Sequence, residues 1–257
     1  THTHILPAVD DGADSEEEVL EIAEQAVDQG IKSMIATPHY IDEQDSLTAD
    51  VINKKVEYLQ QFLIDSGVDL SILPGAEVYI QPTLGREVEK GNVCSINNSQ
   101  YILLELPFKK LPPFTNNVFY DLKVLGYTPI ISHPERYTYI SSNPNLLYSW
   151  IKEGVYAQLN AGSLLGRYGT RVKDTAEILL KNRLIHLVGS DVHSAERRTV
   201  CLDRGLAEIE KSVGQDFVTN LKENAEDIIN DNQLDIVDPI YQKKKTFFGK
   251  LKGIMGF

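Results

Sequence analysis

Cysteine is almost absent from this chain, with Cys94 and Cys201 the only two in 257 residues. A disulfide framework is therefore excluded, and two isolated thiols fit a reducing cytosol. Long apolar runs are absent as well. None approaches the roughly 20 residues that a bilayer span requires, and no signal peptide is visible. The expected location is cytoplasmic; Thr1 already stands inside an expected strand, so a preceding segment is expected too. Positive charge is in short supply, with 25 Lys and Arg against 37 Asp and Glu and a net charge of −12. Duplex binding needs a basic face to release counterions from phosphates, so no nucleic-acid partner is expected and nuclease action is disfavoured.

What is present is an ordinary globular composition, 42% hydrophobic and 24% charged, long enough for one large domain. Short apolar runs at 31–36, 70–73, 101–106, 128–132, 155–159 and 184–189 read as strands, and the His2 segment makes a seventh. Helical period fills the gaps at 15–29, 51–65, 146–152 and 171–180. The first of these carries a Ser15-x-x-Glu18 capping box and Gly30 just past its end. Strands alternating with helices imply a parallel α/β sheet, and about seven repeats favour a closed or nearly closed barrel. An open doubly wound sheet is the alternative, but it calls for a phosphate-cradling glycine loop after its first strand, where this chain has His2-x-His4.

Nine candidate metal ligands stand at the ends of these strands: His2, His4, Asp11, His39, Glu77, Glu105, His133, Asp191 and His193. His2-x-His4 and Asp191-x-His193 space their side chains at i, i+2, which on a strand puts both on one face. Singly, each residue has a plainer explanation, since a histidine beside a proline is often a turn residue and a glutamate after a strand is usually solvated. Jointly that explanation fails. Glu105 lies in the apolar stretch 102–106, where an unpaired carboxylate is costly to bury and a cation removes the cost. His186, inside the 184–189 run, reads instead as a core histidine. Imidazole and carboxylate without thiolate suit manganese, iron or zinc, with magnesium a further possibility. So many ligands exceed one ion. Two or three ions sharing a bridging glutamate clamp both oxygens of a displacement at phosphorus, so phosphoester hydrolysis is the expected chemistry.

The ordered set His2-x-His4 with Asp10-Asp11-Gly12, Thr37-Pro38-His39, Pro74-Gly75-Ala76-Glu77, Leu104-Glu105, Ser132-His133-Pro134-Glu135-Arg136-Tyr137 and Gly189-Ser190-Asp191-x-His193 resembles the polymerase and histidinol phosphatase (PHP) family over essentially the whole chain. Within it, the chain resembles the bacterial manganese-dependent protein tyrosine phosphatases of capsule and exopolysaccharide control. The resemblance implies a distorted seven-stranded (β/α)7 TIM-like barrel over 1–238, and up to three ions, manganese first. It places His2, His4, Glu77 and Asp191 on one ion, Glu77, Glu105 and His133 on a second, and Asp11, His39 and His193 on a third. Asp11 is preferred to Asp10 because it stands just before the glycine of the family motif.

The expected reaction is in-line attack on phosphotyrosine by a metal-activated hydroxide, with Arg136, Asp11 and His193 as catalytic residues and no phosphoenzyme. Arg136 is placed to grip phosphate with its planar fork, and Arg167, Arg197 and Arg198 are further candidates for substrate binding. A cysteine mechanism needs Cys-x5-Arg, but Gln100 follows Cys94 and Ala207 follows Cys201 at that spacing. Within the loop 160–171, Gly166-Arg167-Tyr168-Gly169 offers a cation and an aromatic face to a phosphotyrosine. Residues 239–257 differ in character, with Lys243, Lys244, Lys245, Lys250 and Lys252, no acidic residue, and apolar Phe247, Phe248, Leu251, Ile254 and Met255 at helical spacing. They read either as a loosely packed tail or as a basic amphipathic contact with an anionic membrane. The expected partner is a phosphotyrosine-bearing protein, a membrane-associated bacterial tyrosine kinase. The rival readings are a small-molecule phosphatase acting on histidinol phosphate or a similar ester, and a binding module in which the metals are structural.

Overall fold

The computed structural model describes residues 1–41 and 47–242. In chain order the elements are α1 (Glu16–Asp28), β1 (Ser33–Ala36), β2 (His39–Tyr40), α2 (Ala49–Asp65), β3 (Ser71–Pro74), β4 (Glu77–Tyr79), α3 (Leu84–Glu89), β5 (Tyr101–Glu105), α4 (Thr115–Val124), β6 (Thr128–Ser132), α5 (Thr138–Ser142), α6 (Asn145–Lys152), β7 (Tyr156–Asn160), α7 (Ala161–Leu164), α8 (Thr170–Lys181), β8 (Leu187–Gly189), α9 (Leu202–Val213) and α10 (Gln215–Ile229). This is an α/β fold in which every named strand pair is parallel. One sheet has the order β2-β4-β5-β6-β7-β8 and a smaller one pairs β1 with β3. β1 and β2 are separated only by Thr37-Pro38, and β3 and β4 only by Gly75-Ala76. The expected first strand is reduced to Thr3, which bridges Ala36 on one side and Val192 on the other.

Local chemistry explains the helix ends. Ser15 Oγ accepts the Glu18 N–H at 3.3 Å, as a capping residue should. The reciprocal half of the expected capping box does not form. Glu18 instead accepts the N–H groups of Asp14 and Ala195, at 2.9 and 3.1 Å, and so ties the start of α1 to the loop after β8. At the other end Gly30 takes a φ of +75°, and its N–H donates to Val27.

The two-residue period of the strands sorts the interior into layers. Ile102 and Leu104 of β5, Ile131 of β6, Ala157 and Leu159 of β7 and Val188 of β8 join the main core with the helices. On the opposite face Tyr101, Leu103, Ile130, Tyr156 and Leu187 form their own cluster, covered by Ile228 and Leu234. Continuing that second face by two residues along each strand reaches Glu105, Ser132, Gln158 and Gly189. The apolar layer is thus a floor, and the polar layer above it is the site. α9 approaches closely because Gly205 has no side chain; a Cβ there would stand 2.5 Å from Ala161 Cβ.

Residues 240–242 lie on the body. Ile240 N–H donates to Asn182, and the Asn145 amide pairs with the backbone of Gln242 in both directions. The lysines and apolar residues of the expected amphipathic tail, 243–257, lie outside the described residues. Among those described, no helix is long and apolar enough to cross a membrane.

Candidate metal centre

Each expected ligand is delivered by the end of a strand or the turn beyond it, and together they meet in one pocket. His2 Nε2 and His4 Nε2 stand 3.2 Å apart. Glu77 Oε2 lies 3.3 and 3.5 Å from them, and Asp191 Oδ1 lies 3.5 and 3.6 Å from them. His2, His4 and Glu77 form a first set whose ligand atoms lie within 4.8 Å of one another and could hold one divalent ion, with Asp191 beside both imidazoles. Asp11 Oδ1 faces His39 Nε2 at 3.4 Å and His193 Nε2 at 3.3 Å. With His4 these residues form a second set, whose ligand atoms all lie within 4.8 Å of one another. His39, Glu77 and Glu105 form a third set within the same limit. His133 Nε2 adds to it, 2.8 Å from Glu77 Oε1 and 3.7 Å from Glu105 Oε1. Glu77 therefore stands at the centre, touching His2, His4, His39 and His133. His186 is elsewhere: it is buried, and its Nδ1 accepts the Ala157 N–H.

The backbone is bent to make this possible. His133 and Asp191 take φ of 33° and 51°, a left-handed conformation that side chains rarely adopt. Gly12 is required for a different reason: a Cβ there would fall 2.1 Å from His4 O and 2.9 Å from Asp10 Oδ1.

Burial is the largest influence on the ionisable groups of the pocket. For Glu105 it combines with the charge of Glu77 to push the carboxyl up to about 8. For His193 it combines with the charge of His4 to pull the imidazole down to about 4. His4 moves the other way, because Asp10 and Glu77 outweigh burial and raise it to about 10. Carboxylates crowded this tightly resist ionising together unless cations sit between them. His133 Nδ1 is also a buried polar atom without a partner among the described residues. An oxygen and imidazole donor set without thiolate suits hard or borderline divalent ions, so these residues fit a metal centre.

Two guanidinium groups border the pocket. Arg136 Cζ lies 4.6 Å from the ring centres of both Phe108 and Tyr168, so its plane is held between two aromatic faces. Arg198 Nη2 donates to Asp191 Oδ2 at 2.6 Å, and Arg136 Nη1 approaches the same oxygen at 3.5 Å. Arg167 is directed away, with Nη1 and Nη2 donating to the carbonyl and hydroxyl of Thr199. Arg197 is exposed on the loop that follows His193.

Comparison with known proteins decides the family. Residues 1–230 match the model of the capsular polysaccharide synthesis family CpsB/CapC. The chain belongs to that family. Similar proteins include the tyrosine-protein phosphatase YwqE of Bacillus subtilis, 36% identical over 96% of this chain and 98% of the relative. A putative tyrosine-protein phosphatase CapC of Staphylococcus aureus is 30% identical over 97% of this chain and 98% of its own length. Among solved structures, a chain from work on YwqE of B. subtilis and CpsB of Streptococcus pneumoniae, described as unique metal-dependent tyrosine phosphatases, superposes with a TM-score of 0.91. It is 36% identical, and the match covers 95% of this chain and 98% of that one.

Some residues that support this site carried no assigned role in the sequence, Asp10 and Glu135 standing there only as motif members. Asp10 Oδ2 accepts from His4 Nδ1 at 2.7 Å and from the His39 N–H at 3.0 Å, behind the ligands. Gln158 faces His2 Nδ1 at 2.9 Å, and Asn160 Nδ2 donates to Asp191 Oδ2 at 2.6 Å. Glu135 is buried, where it accepts from Ser163 Oγ and the Asn160 N–H; burial pushes its carboxyl up to about 7. A signal existed for the pair on β7: Gln158 and Asn160 repeat the i, i+2 spacing of Asp191-x-His193 at a strand end.

Proposed function

We propose that the protein is a metal-dependent tyrosine-protein phosphatase. The observation that carries this reading is the convergence of five imidazoles and four carboxylates beside Arg136 and Arg198, at an edge open to solvent. The relatives named as tyrosine-protein phosphatases support it. In this reading Thr3, β1 with β2, β3 with β4, and β5 to β8 are the staves of a distorted seven-stranded TIM-like barrel, since Thr3 bridges both Ala36 and Val192. Up to three ions are proposed, manganese first with iron, zinc or magnesium as alternatives, on the three ligand sets that the family resemblance implies.

Ions bound there would supply ionised water at neutral pH and neutralise charge growing on the phosphoryl oxygens. The chain's own part is orientation. Arg136, pinned between Phe108 and Tyr168, presents a planar fork to the phosphate, and Arg198 adds a second cation. Asp11 and His193 border the reacting group. Arg167 is assigned to bracing the Thr199 loop, since both its terminal nitrogens are engaged there, and Arg197 remains a candidate for residues flanking the phosphotyrosine. The exposure of the side chains favours a protein substrate. His2, His4, Glu77 and His133 are 0–2% exposed, whereas Asp11 is 65%, His39 29%, Arg198 29% and Arg136 21% exposed. A cluster sealed below and open along one edge admits a phosphotyrosine carried on a chain, and Phe108 exposes a ring at that edge. Given the family, that substrate is read as a tyrosine-phosphorylated protein of capsule synthesis, a membrane-associated kinase, met in the cytoplasm.

The test is hydrolysis of a phosphotyrosine peptide before and after chelation. Activity should vanish on stripping, return with manganese, and exceed that on histidinol phosphate. Full activity after thorough stripping would overturn the reading, and preference for histidinol phosphate would replace it with the metabolite phosphatase.

A further inference from the structure

We propose that Gln158 is a positioning residue for the metal centre: with its side-chain amide turned over so that the oxygen meets His2 Nδ1, it holds that imidazole in the Nδ1–H tautomer and leaves Nε2 free to ligate. The inference rests on the metal-dependent reading of the site. Gln158, fully buried in β7, has its amide between two neighbours. As placed, the amide nitrogen Nε2 lies 2.9 Å from His2 Nδ1 and the amide oxygen Oε1 lies 3.0 Å from Thr1 Oγ1. The two ends of a glutamine amide are alike in shape, so hydrogen bonding decides which faces which.

Thr1 Oγ1 also lies 3.0 Å from the Val188 carbonyl. With the amide oxygen facing Thr1, one hydroxyl proton has to serve two acceptors, Gln158 Oε1 and the Val188 carbonyl. Turning the amide over removes the conflict. Thr1 then donates to Val188 and accepts from Gln158 Nε2, while Gln158 Oε1 meets His2 Nδ1, which must carry the ring proton. The other ring nitrogen, Nε2, is the atom 3.2–3.5 Å from His4, Glu77 and Asp191. A protonated ring nitrogen cannot bind a cation, so the ligating tautomer is the one this amide selects.

Two further features agree. Gly189 makes the room, since a Cβ there would stand 2.7 Å from His2 Cβ and 2.9 Å from the Gln158 amide. Asp10 does the same work for His4 with a carboxylate, at 2.7 Å. A neutral acceptor behind His2 avoids adding another negative charge to a buried pocket already crowded with carboxylates.

The test measures ion binding, not turnover. Manganese would be titrated calorimetrically into chelated wild type, Gln158→Leu and Gln158→Glu, and the 15N shifts of His2 read in zinc-loaded wild type. The leucine variant should lose about 10- to 100-fold in affinity at its tightest site, and the glutamate variant, which keeps an acceptor for His2 but adds a charge and has no donor for Thr1, should lose clearly less than the leucine variant. The loaded wild type should show His2 protonated at Nδ1. A proton on Nε2, or equal binding by Gln158→Leu, overturns this inference alone. A loss in the glutamate variant as large as in the leucine variant assigns Gln158 to packing and overturns it too. A wild type that takes up neither ion overturns the metal reading, and this inference with it.

Discussion

Asp10 and Asp11 are adjacent yet face opposite sides of the same imidazole cluster. Asp10 Oδ2 lies 2.7 Å behind His4 Nδ1, whereas Asp11 Oδ1 faces His39 and His193 from the solvent side. A carboxylate behind a ligating histidine fixes its tautomer and raises its basicity. Asp10→Ala should therefore weaken manganese binding about 10- to 100-fold although Asp10 is not itself a proposed ligand. Metal content after dialysis at fixed free manganese would check it; an unchanged occupancy would reduce Asp10 to a loop residue.

The arginine held between Phe108 and Tyr168 gives a test of fork against charge. Arg136→Lys keeps the cation but loses the planar face that both rings stack on. A charge-assisted hydrogen bond is worth about 1.5–3 kcal/mol, so kcat/KM on a phosphotyrosine peptide should fall about 10- to 100-fold. Bound metal should not change. A lysine variant as fast as wild type would show that any positive charge suffices there.

Neither thiol is available for catalysis. Cys94 and Cys201 are buried, and burial pushes the Cys94 thiol up to about 12, far from the thiolate that a nucleophile needs. The double substitution of both by serine should leave phosphotyrosine hydrolysis within about twofold of wild type, since it removes no charge or ligand from the pocket. Loss of turnover in a folded, metal-replete double variant would reopen a cysteine mechanism.

The residues proposed as ligands, which the fold brings into one pocket, could be singled out because the signal they carry is local. A strand end followed by His or Glu, and the two-residue spacing of His2-x-His4, can be read without knowing which strands pair. The parallel α/β fold was legible in the same way, with β6 at its expected bounds and β8 shorter by the three residues 184–186. What escaped depends on tertiary pairing. Gln158 and Asn160 carry no charge to mark them, and only the register of β7 with β8, Gln158 opposite Leu187 and Asn160 opposite Gly189, brings them to His2 and Asp191. Arg167 was a further candidate for substrate binding behind Arg136, and the two part in the fold: Arg167 is bound to Thr199, whereas Arg136 is clamped by two rings at the site. The capping glutamate Glu18 was read as local, but the loop after His193 competes for it.

His186, assigned to the core, gives a stability prediction whose sign can be worked out. Its Nδ1 accepts the Ala157 N–H, so Nε2 carries the proton, buried and without a partner among the described residues. Burial pulls the imidazole down to about 4. An unfolded chain takes up a proton near the ordinary value of about 6.5, whereas the folded protein refuses it until about 4. The neutral ring thus contributes stability that is fully present above pH 6.5 and drains away as the pH falls toward 4, by about 2–3 kcal/mol at pH 4.5. His186→Asn keeps an acceptor for Ala157 but does not titrate. Urea unfolding of both proteins, chelated so that ion release does not interfere, should show wild type ahead at pH 7.5 and the gap closing by that amount at pH 4.5. Taking the difference cancels the titration of the other histidines, which the substitution leaves in place. A gap that stays constant across this range would mean that His186 titrates as it does in the unfolded chain, and that the buried ring is reached by water.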